Sequence, residues 1–541
     1  ISANTADITA NSTAIAGATA DIAALEEKLG PVSVAKTGST VTDYIYTGVN
    51  VHVRSGTGAT DGETTGYGNL IVGYNENGLS YSRSGSHNIV VGMDHGYSSY
   101  GGLVIGYRNR IENAFCSVSG GQFNVADGSY ASVSGGAYNT ASGHAAFVGG
   151  GGGDISDKGN EAFADYSAVL GGYENLTGDT LKVDNSIGES SVIAGGHYNN
   201  AYGEASSVLA GYHNQATGIF SSVSGGSNNT ASNVGSNVGG GHLNEASGQY
   251  SKVSGGIGNN STSSYSNVTG GRSNTAGGQY SCVSGGGYNT AGVNYSSVSG
   301  GHHNSAEGLY SSVSGGAYNT ASGGAAFVAG GGGASSSEGN EAFADYSAVL
   351  GGYSNLTGDT LKVDNSIGES SVIAGGQNNN AYGEASSVLA GHHNQAMANS
   401  SSVSGGDNNK ATGTSSSVSG GSSNTASNSS SSVDGGYNNK ASGQFSKVSG
   451  GFNNNATDSY SNVTGGRANT ADGQYACVSG GYYNTAGGDY SSISGGHHNS
   501  SDGLYSSVSG GGFNKASGEG AFVAGGGGAT LSDVNEAFAD Y

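Results

Sequence analysis

His302–His303, His392–His393 and His497–His498 are the side chains of this sequence best suited by type to hold a metal, since neutral imidazole is a common zinc ligand. Each pair fills the two positions before an asparagine. Adjacent residues on an extended strand point to opposite sides, and most equivalent positions carry Tyr, Ser or Asn, so no metal site is expected from them. Acids form the second group. Asp154, Asp157, Asp179 and Asp184 fall in one stretch with Glu161, Asp165 and Glu189, and a second stretch holds Glu338, Glu341, Asp345, Asp359, Asp364 and Glu369. Calcium suits such oxygen-rich loops, but no D-x-D-x-D-G spacing is present, and solvated acids are the default reading. The glycines at 149–153 lack the Lys-Ser/Thr of a phosphate loop. With no G-x-S-x-G elbow, no H-E-x-x-H and no paired-carboxylate cleft, enzymatic activity is not expected. The third group is aromatic: Tyr250, Tyr265, Tyr280, Tyr295 and Tyr310 recur every fifteen residues. Such a stripe suits contact with a sugar or protein surface, and equally suits rings that stack and stiffen a rod.

The tyrosines keep time with everything around them. From Val118 onward the unit is Y-S-S-V-S-G-G-x-x-N-T-A-S-G-x, fifteen residues long. Its valine runs unbroken from Val208 to Val328 and again from Val388 to Val523, with Ile493 substituting once, and its asparagine from Asn229 to Asn319 and Asn394 to Asn514. In a parallel β-solenoid, residues one period apart stack at about 4.8 Å. Asparagine side chains then hydrogen-bond along a ladder, and tyrosine rings stack. The Gly-Gly pair and the later glycine are expected to supply positive-φ turns between two short strands per coil. About 29 coils follow from the repeats. A longer period overlies the first. "GNEAFADYSAVLGGY" occurs at 159–173 and 339–353, and "TGDTLKVDNSIGESSVIAGG" at 177–196 and 357–376. Within these blocks the valine spacing opens, from Val148 to Val169 to Val192, which predicts loops inserted near 149–190 and 329–370.

Composition alone points elsewhere. With 105 glycines among 541 residues, 34% apolar residues and 10% charged, the chain has the hydrophobicity of a disordered segment. Disorder gives no reason to keep a strict period, so the repetition decides. A net charge of -23 leaves no basic patch for nucleic acid and disfavours anionic membrane surfaces. Cys116, Cys282 and Cys477 lie far apart, in neither a disulfide framework nor metal-ligand spacing, and read as small packed residues. The sequence starts within a heptad and stops within a repeated phrase, so both ends read as cuts through a longer chain.

Residues 1–30 read as a coiled-coil stalk segment. Ile1, Ile8, Ile15, Ile22 and Leu29 recur every seven residues, with Asn4, Asn11, Ala18 and Leu25 three later, and Gly30-Pro31 ends the helix. Residues 31–66 form a connector or cap in which "YIYTGVNVHVRS" alternates as a strand pair would. Over 67–120 come "NLIVGY", "NIVVGM", "GLVIGY" and "CSVSGG", and 121–541 is the fifteen-residue solenoid. The stalk phrase "ISANTADITANST" and the early repeats resemble the trimeric autotransporter adhesins, the YadA-like family of bacterial surface fibres. The resemblance implies an all-β parallel β-solenoid or β-roll behind a short N-terminal trimeric coiled coil. It implies an anion, chloride, held on the axis by Asn4 and Asn11, with no other cofactor. It implies a homotrimer at the cell surface, outer-membrane anchored in the full-length chain, attaching to a host, cell or abiotic surface or its glycans. Membrane contact would come only through a C-terminal anchor outside this sequence. From 121 on the pattern departs from the family's: the unit is fifteen residues, and valine stands two before the glycine. Polar walls packed only within one chain are expected to be weak, which favours three chains sharing an axis. A trimeric tail fibre of viral type and an ice-binding solenoid are the alternatives.

Overall fold

One valine and one alanine per fifteen residues suffice for a core only if each turn of chain lies directly on the next, and that is what the chain does. The computed structural model describes residues 2–29, 32–37, 40–530, 532 and 534–538. It is a parallel β-solenoid of about 30 turns, with one helix at the N-terminal end of the sequence. The chain divides into two compact units, Ile1–Tyr130 and Ala131–Tyr541.

In the second unit each regular turn contributes two two-residue strands. A valine strand such as Cys282–Val283 pairs in parallel with Ser297–Val298 one repeat on, and an alanine strand such as Thr275–Ala276 pairs with Thr290–Ala291. A third line of single bridges runs through the residue after Gly-Gly, from Ile257 to Arg272 to Gly287. Val253, Val268, Val283, Ala276 and Ala291 are 0% exposed, as are Asn259, Asn274 and Asn289. The interior is therefore closed by one chain. The ladder asparagines are hydrogen-bonded within the chain itself. Asn274 Nδ2 donates to the carbonyls of Gly270 (2.9 Å) and Gly286 (3.0 Å), and its Oδ1 accepts the backbone N–H of Asn289 at 2.9 Å. The ladder thus runs from side chain to backbone, with each amide tying its own turn to the next.

The glycines divide by role, and not as the sequence suggested. The second of each pair lies in the left-handed region (Gly271, φ 93°), as expected. The later glycine does not. Gly278 has no positive φ, and a Cβ there would stand 2.0 Å from the Val293 carbonyl oxygen. At 278 successive turns approach backbone to backbone, although Ser263 and Val293 fill the same position in the turns on either side.

In the blocks, Val148 pairs with Val169 across an excursion containing a 3-10 turn, Ser156–Lys158. Val169 then pairs with Ile193, not with Val192. Ile193 is 0% exposed and Val192 faces outward, which corrects the core residue assigned from spacing.

The first unit holds a helix, Ser2–Leu29, whose described residues are all exposed. Ile1, Gly30 and Pro31 lie outside the described residues. Strand Val32–Thr37 pairs antiparallel with Thr40–Tyr46. The alternation in "YIYTGVNVHVRS" does not continue as strand, because Gly48 turns the chain at φ 74° and residues 49–55 form none. Parallel stacking starts with Leu70–Val72, Ile89–Met93 and Leu103–Tyr107, over Val90 and Val104.

His95 substitutes for an asparagine in the ladder of this unit. It is 1% exposed, its Nδ1 accepts the Asn109 N–H at 3.2 Å, and its Nε2 lies 3.0 Å from the Val91 carbonyl. Both contacts require a neutral ring protonated on Nε2, and desolvation holds its pKa below the ordinary histidine value. The unfolded chain therefore takes up this proton first, and stability present above about pH 6.5 is lost as pH falls below it. Amide exchange in turns 88–111 should quicken between pH 7.5 and 5, after correction for intrinsic rates. In His95→Asn, which keeps the acceptor and donor without titrating, that acceleration should largely vanish.

Candidate functional site

Three features stand out from the repeating wall: the aromatic corners, the inserted blocks and the helix seam. Tyr250, Tyr265, Tyr280, Tyr295 and Tyr310 occupy the corner before the valine strand with φ between 54° and 60°. Strand residues donate their N–H forward, as Cys282 does to Ser296, whereas Tyr280 donates back to Ser264 (3.1 Å) and Tyr295 back to Gln279 (2.8 Å). The left-handed conformation is what reverses the N–H. It costs a non-glycine residue about 1–2 kcal/mol. The rings stack with centroids 5.3, 4.9, 5.2 and 4.9 Å apart along the five, and Phe445, Tyr460, Tyr475, Tyr490 and Tyr505 repeat the arrangement. Stacking covers ring faces and leaves ring edges and hydroxyls outward, with each ring 45–59% exposed in the first ladder. The ladder thus presents a row of phenols rather than open aromatic plates. Tyr280→Ala should lower stability by about 1–2 kcal/mol by removing two stacks, while Tyr280→Phe should stay within about 0.5 kcal/mol. Urea denaturation of both variants checks this.

The histidine pairs lie at the other left-handed corner. His303 (φ 55°) is sandwiched between Tyr288 and Tyr318, each 4.8 Å away. Its neighbour His302 does not point to the opposite side: the two rings meet edge to face at 4.2 Å. The strand rule fails here because the pair sits on a turn. His498 lies likewise between Tyr483 and Phe513, and His392 Nδ1 is 2.8 Å from Asp407. Among the described residues no group of three or more His, Cys, Asp or Glu side chains gathers as a metal site.

The block acids are separated by the fold. Asp154 is exposed, and the side chain of Asp157 lies outside the described residues. Asp179 is buried and accepts the N–H groups of Leu181 (2.9 Å) and Val183 (3.0 Å), which hold its carboxyl below the usual range, Leu181 most. Asp184 accepts the hydroxyl and N–H of Ser186, and both lower its pKa. Asp359 repeats the Asp179 bonds with Leu361 and Val363. These carboxylates shape their own loops. Lys182 (φ 56°) reaches back to Glu161 at 2.5 Å while staying half exposed, and lines one side of an open polar cleft of about 270 Å³ with Tyr138, Glu174 and Tyr198. A hydrogen bond to Glu174 raises the Tyr198 phenol. The same loop turns its apolar residues out. Leu181 and Val183 are 80% and 78% exposed, and Leu361 and Val363 repeat this at 80% and 79%. Reading for chemistry passed over these residues, although apolar pairs inside a turn-rich phrase, "TGDTLKVDN", were the available signal. Among the N-x-Ser/Thr sequons of the chain, Asn175-Leu-Thr has its asparagine buried in the ladder, whereas the asparagine of Asn228-Asn-Thr is exposed.

Asn4 and Asn11 are exposed on the helix, along the seam with Ile8 (65% exposed), Ile15 (66%), Ile22 (57%) and Leu25 (56%). Among the described residues no helix is long and apolar enough to cross a membrane. No protein-family model matches this chain, and no curated protein matches it.

Proposed function

We propose that this chain is the solenoid and upper stalk of a homotrimeric fibre at the cell surface, built for attachment or for holding an attachment point at a distance. The observation that carries the reading is the continuity of its ladders. Turn after turn is filled by Val, Ala and Asn, with side-chain hydrogen bonds aligned along the axis, which is a construction for stiffness. The trimer is supported by the helix. Among the described residues nothing covers the four exposed large apolar residues on the helix seam, and heptad spacing suits partner helices. In a three-helix stalk Asn4 and Asn11 would face the axis and hold chloride, as the resemblance to the YadA-like adhesins implies. The aromatic edges and the block loops are the surfaces offered to a host cell, abiotic material or glycans.

The deciding experiment is the mass of residues 1–541 by light scattering, with adhesion of beads carrying the protein measured alongside. A species near three times 52.8 kDa and bead retention on cell or glycan-coated surfaces are expected. A 52.8 kDa monomer overturns the trimer, and coated beads that bind no better than bare ones overturn the adhesive role.

A further inference from the structure

The position after the core valine is Ser, Thr, Ala, Gly or Asp in every turn of 131–541 except four. Those four are Leu170, Leu209, Leu350 and Leu389, and they are 49%, 53%, 46% and 52% exposed. Leu170 and Leu350 lie within the blocks, and Leu209 and Leu389 lie in the turn that follows each. Leu170 ends the turn from which the loop with Leu181 and Val183 departs, and the loop returns into strand Val192–Ile193. Leu209 closes the turn after that, since Val208 pairs with Ile193. The two leucines therefore bracket the loop in height, each about 4.8 Å from the turn between them. They also lie at the other end of the same side: the loop enters the N-terminal end of the valine strand, and leucine follows its C-terminal end. Between these ends the outward strand positions are apolar too, Phe147, Ala168 and Val192 in register, where regular turns mostly carry serine. The second block repeats the whole arrangement.

From this placement, and resting on the parallel trimer proposed above, we infer that each block is a self-association site: the Leu181–Val183 tip of one copy docks on Leu170 and Leu209 of the next. The occupant is a second copy of this chain for three reasons. Tip and leucines share a height, so parallel copies in register meet them with no axial shift. Both blocks are set at a spacing fixed by the solenoid, and a partner engaging both tips needs the same spacing. A net charge of -23 makes copies repel over most of their surface, whereas at the Leu181–Val183 tip the half-exposed Lys182 is neutralised by its ion pair with Glu161 at 2.5 Å. Contact between two different ends of one side is heterologous, and in a parallel bundle it closes into a ring.

The test uses the full 541-residue chain with Cys282 and Cys477 changed to serine. Leu181→Cys is combined with Leu170→Cys or with Leu209→Cys, and oxidised protein is run under denaturing conditions. At least one pairing should give a disulfide-linked trimer, which neither single variant gives. Leu181→Cys with Ser299→Cys, several turns away, should give none. A chain that is trimeric by light scattering yet links through neither pair overturns this inference and leaves the trimer standing. Equal linking through Ser299→Cys overturns it as well. A monomer removes both.

Discussion

Gly278→Ala is expected to destabilise the solenoid by on the order of 4 kcal/mol. Its Cβ would lie 2.0 Å from the Val293 carbonyl oxygen and 2.1 Å from the carbonyl carbon. Both are backbone atoms of the next turn, so no side chain can swing aside. Relief requires the turns to part, and parting breaks the bonds that hold them, including Gly278 N–H to Ala291 O and Gly277 N–H to Ala291 O. Gly270→Ala is the control. A Cβ there meets nothing within 4 Å and the backbone lies outside the left-handed region, so its effect should stay within about 0.5 kcal/mol. Because a repeat array can open in segments, urea denaturation should be accompanied by amide exchange, with protection lost first around 276–293 in the Gly278 variant.

Asn274→Ala is expected to cost about 3 kcal/mol. The side chain is 0% exposed, and its removal leaves the buried Asn289 N–H without its acceptor and takes the side-chain donor from the partly exposed Gly270 and Gly286 carbonyls. Asn274→Asp separates shape from chemistry. An ionised carboxylate keeps the acceptor for Asn289 but has no proton for two glycine carbonyls. The loss at pH 7 should equal or exceed that of alanine, and should shrink at acid pH as the carboxyl gains a proton. Asn267→Ala, on the outward side of the neighbouring strand, should fall within about 0.5 kcal/mol. Equal losses at Asn274 and Asn267 would mean that the ladder carries no special share of stability.

The period was fully legible, and with it most of the fold. Valine every fifteen residues placed one sheet, the stacked Tyr250–Tyr310 rings follow from the same beat, and the blocks were visible as interruptions. The candidate site was less so. Val192 and Ile193 are equally good core residues on paper, and only the register with Val169 turns Ile193 inward. The histidine pairs were read by a strand rule, whereas a left-handed backbone at His303 puts both rings at one corner. Nothing in "TLKV" reveals that Asp179 caps the loop and Lys182 reaches back to Glu161, so that two apolar side chains point outward.

By itself, then, the sequence determined which residues lie above one another, because a strict period in one dimension becomes vertical stacking once the chain coils. Only the tertiary structure decided which way each group points. That choice depends on the direction of each N–H relative to the adjacent turns, forward from the strands and backward from the tyrosine corners, and on where neighbouring backbones approach closely, as at Gly278. Both are set by turn meeting turn, and neither belongs to any one repeat alone.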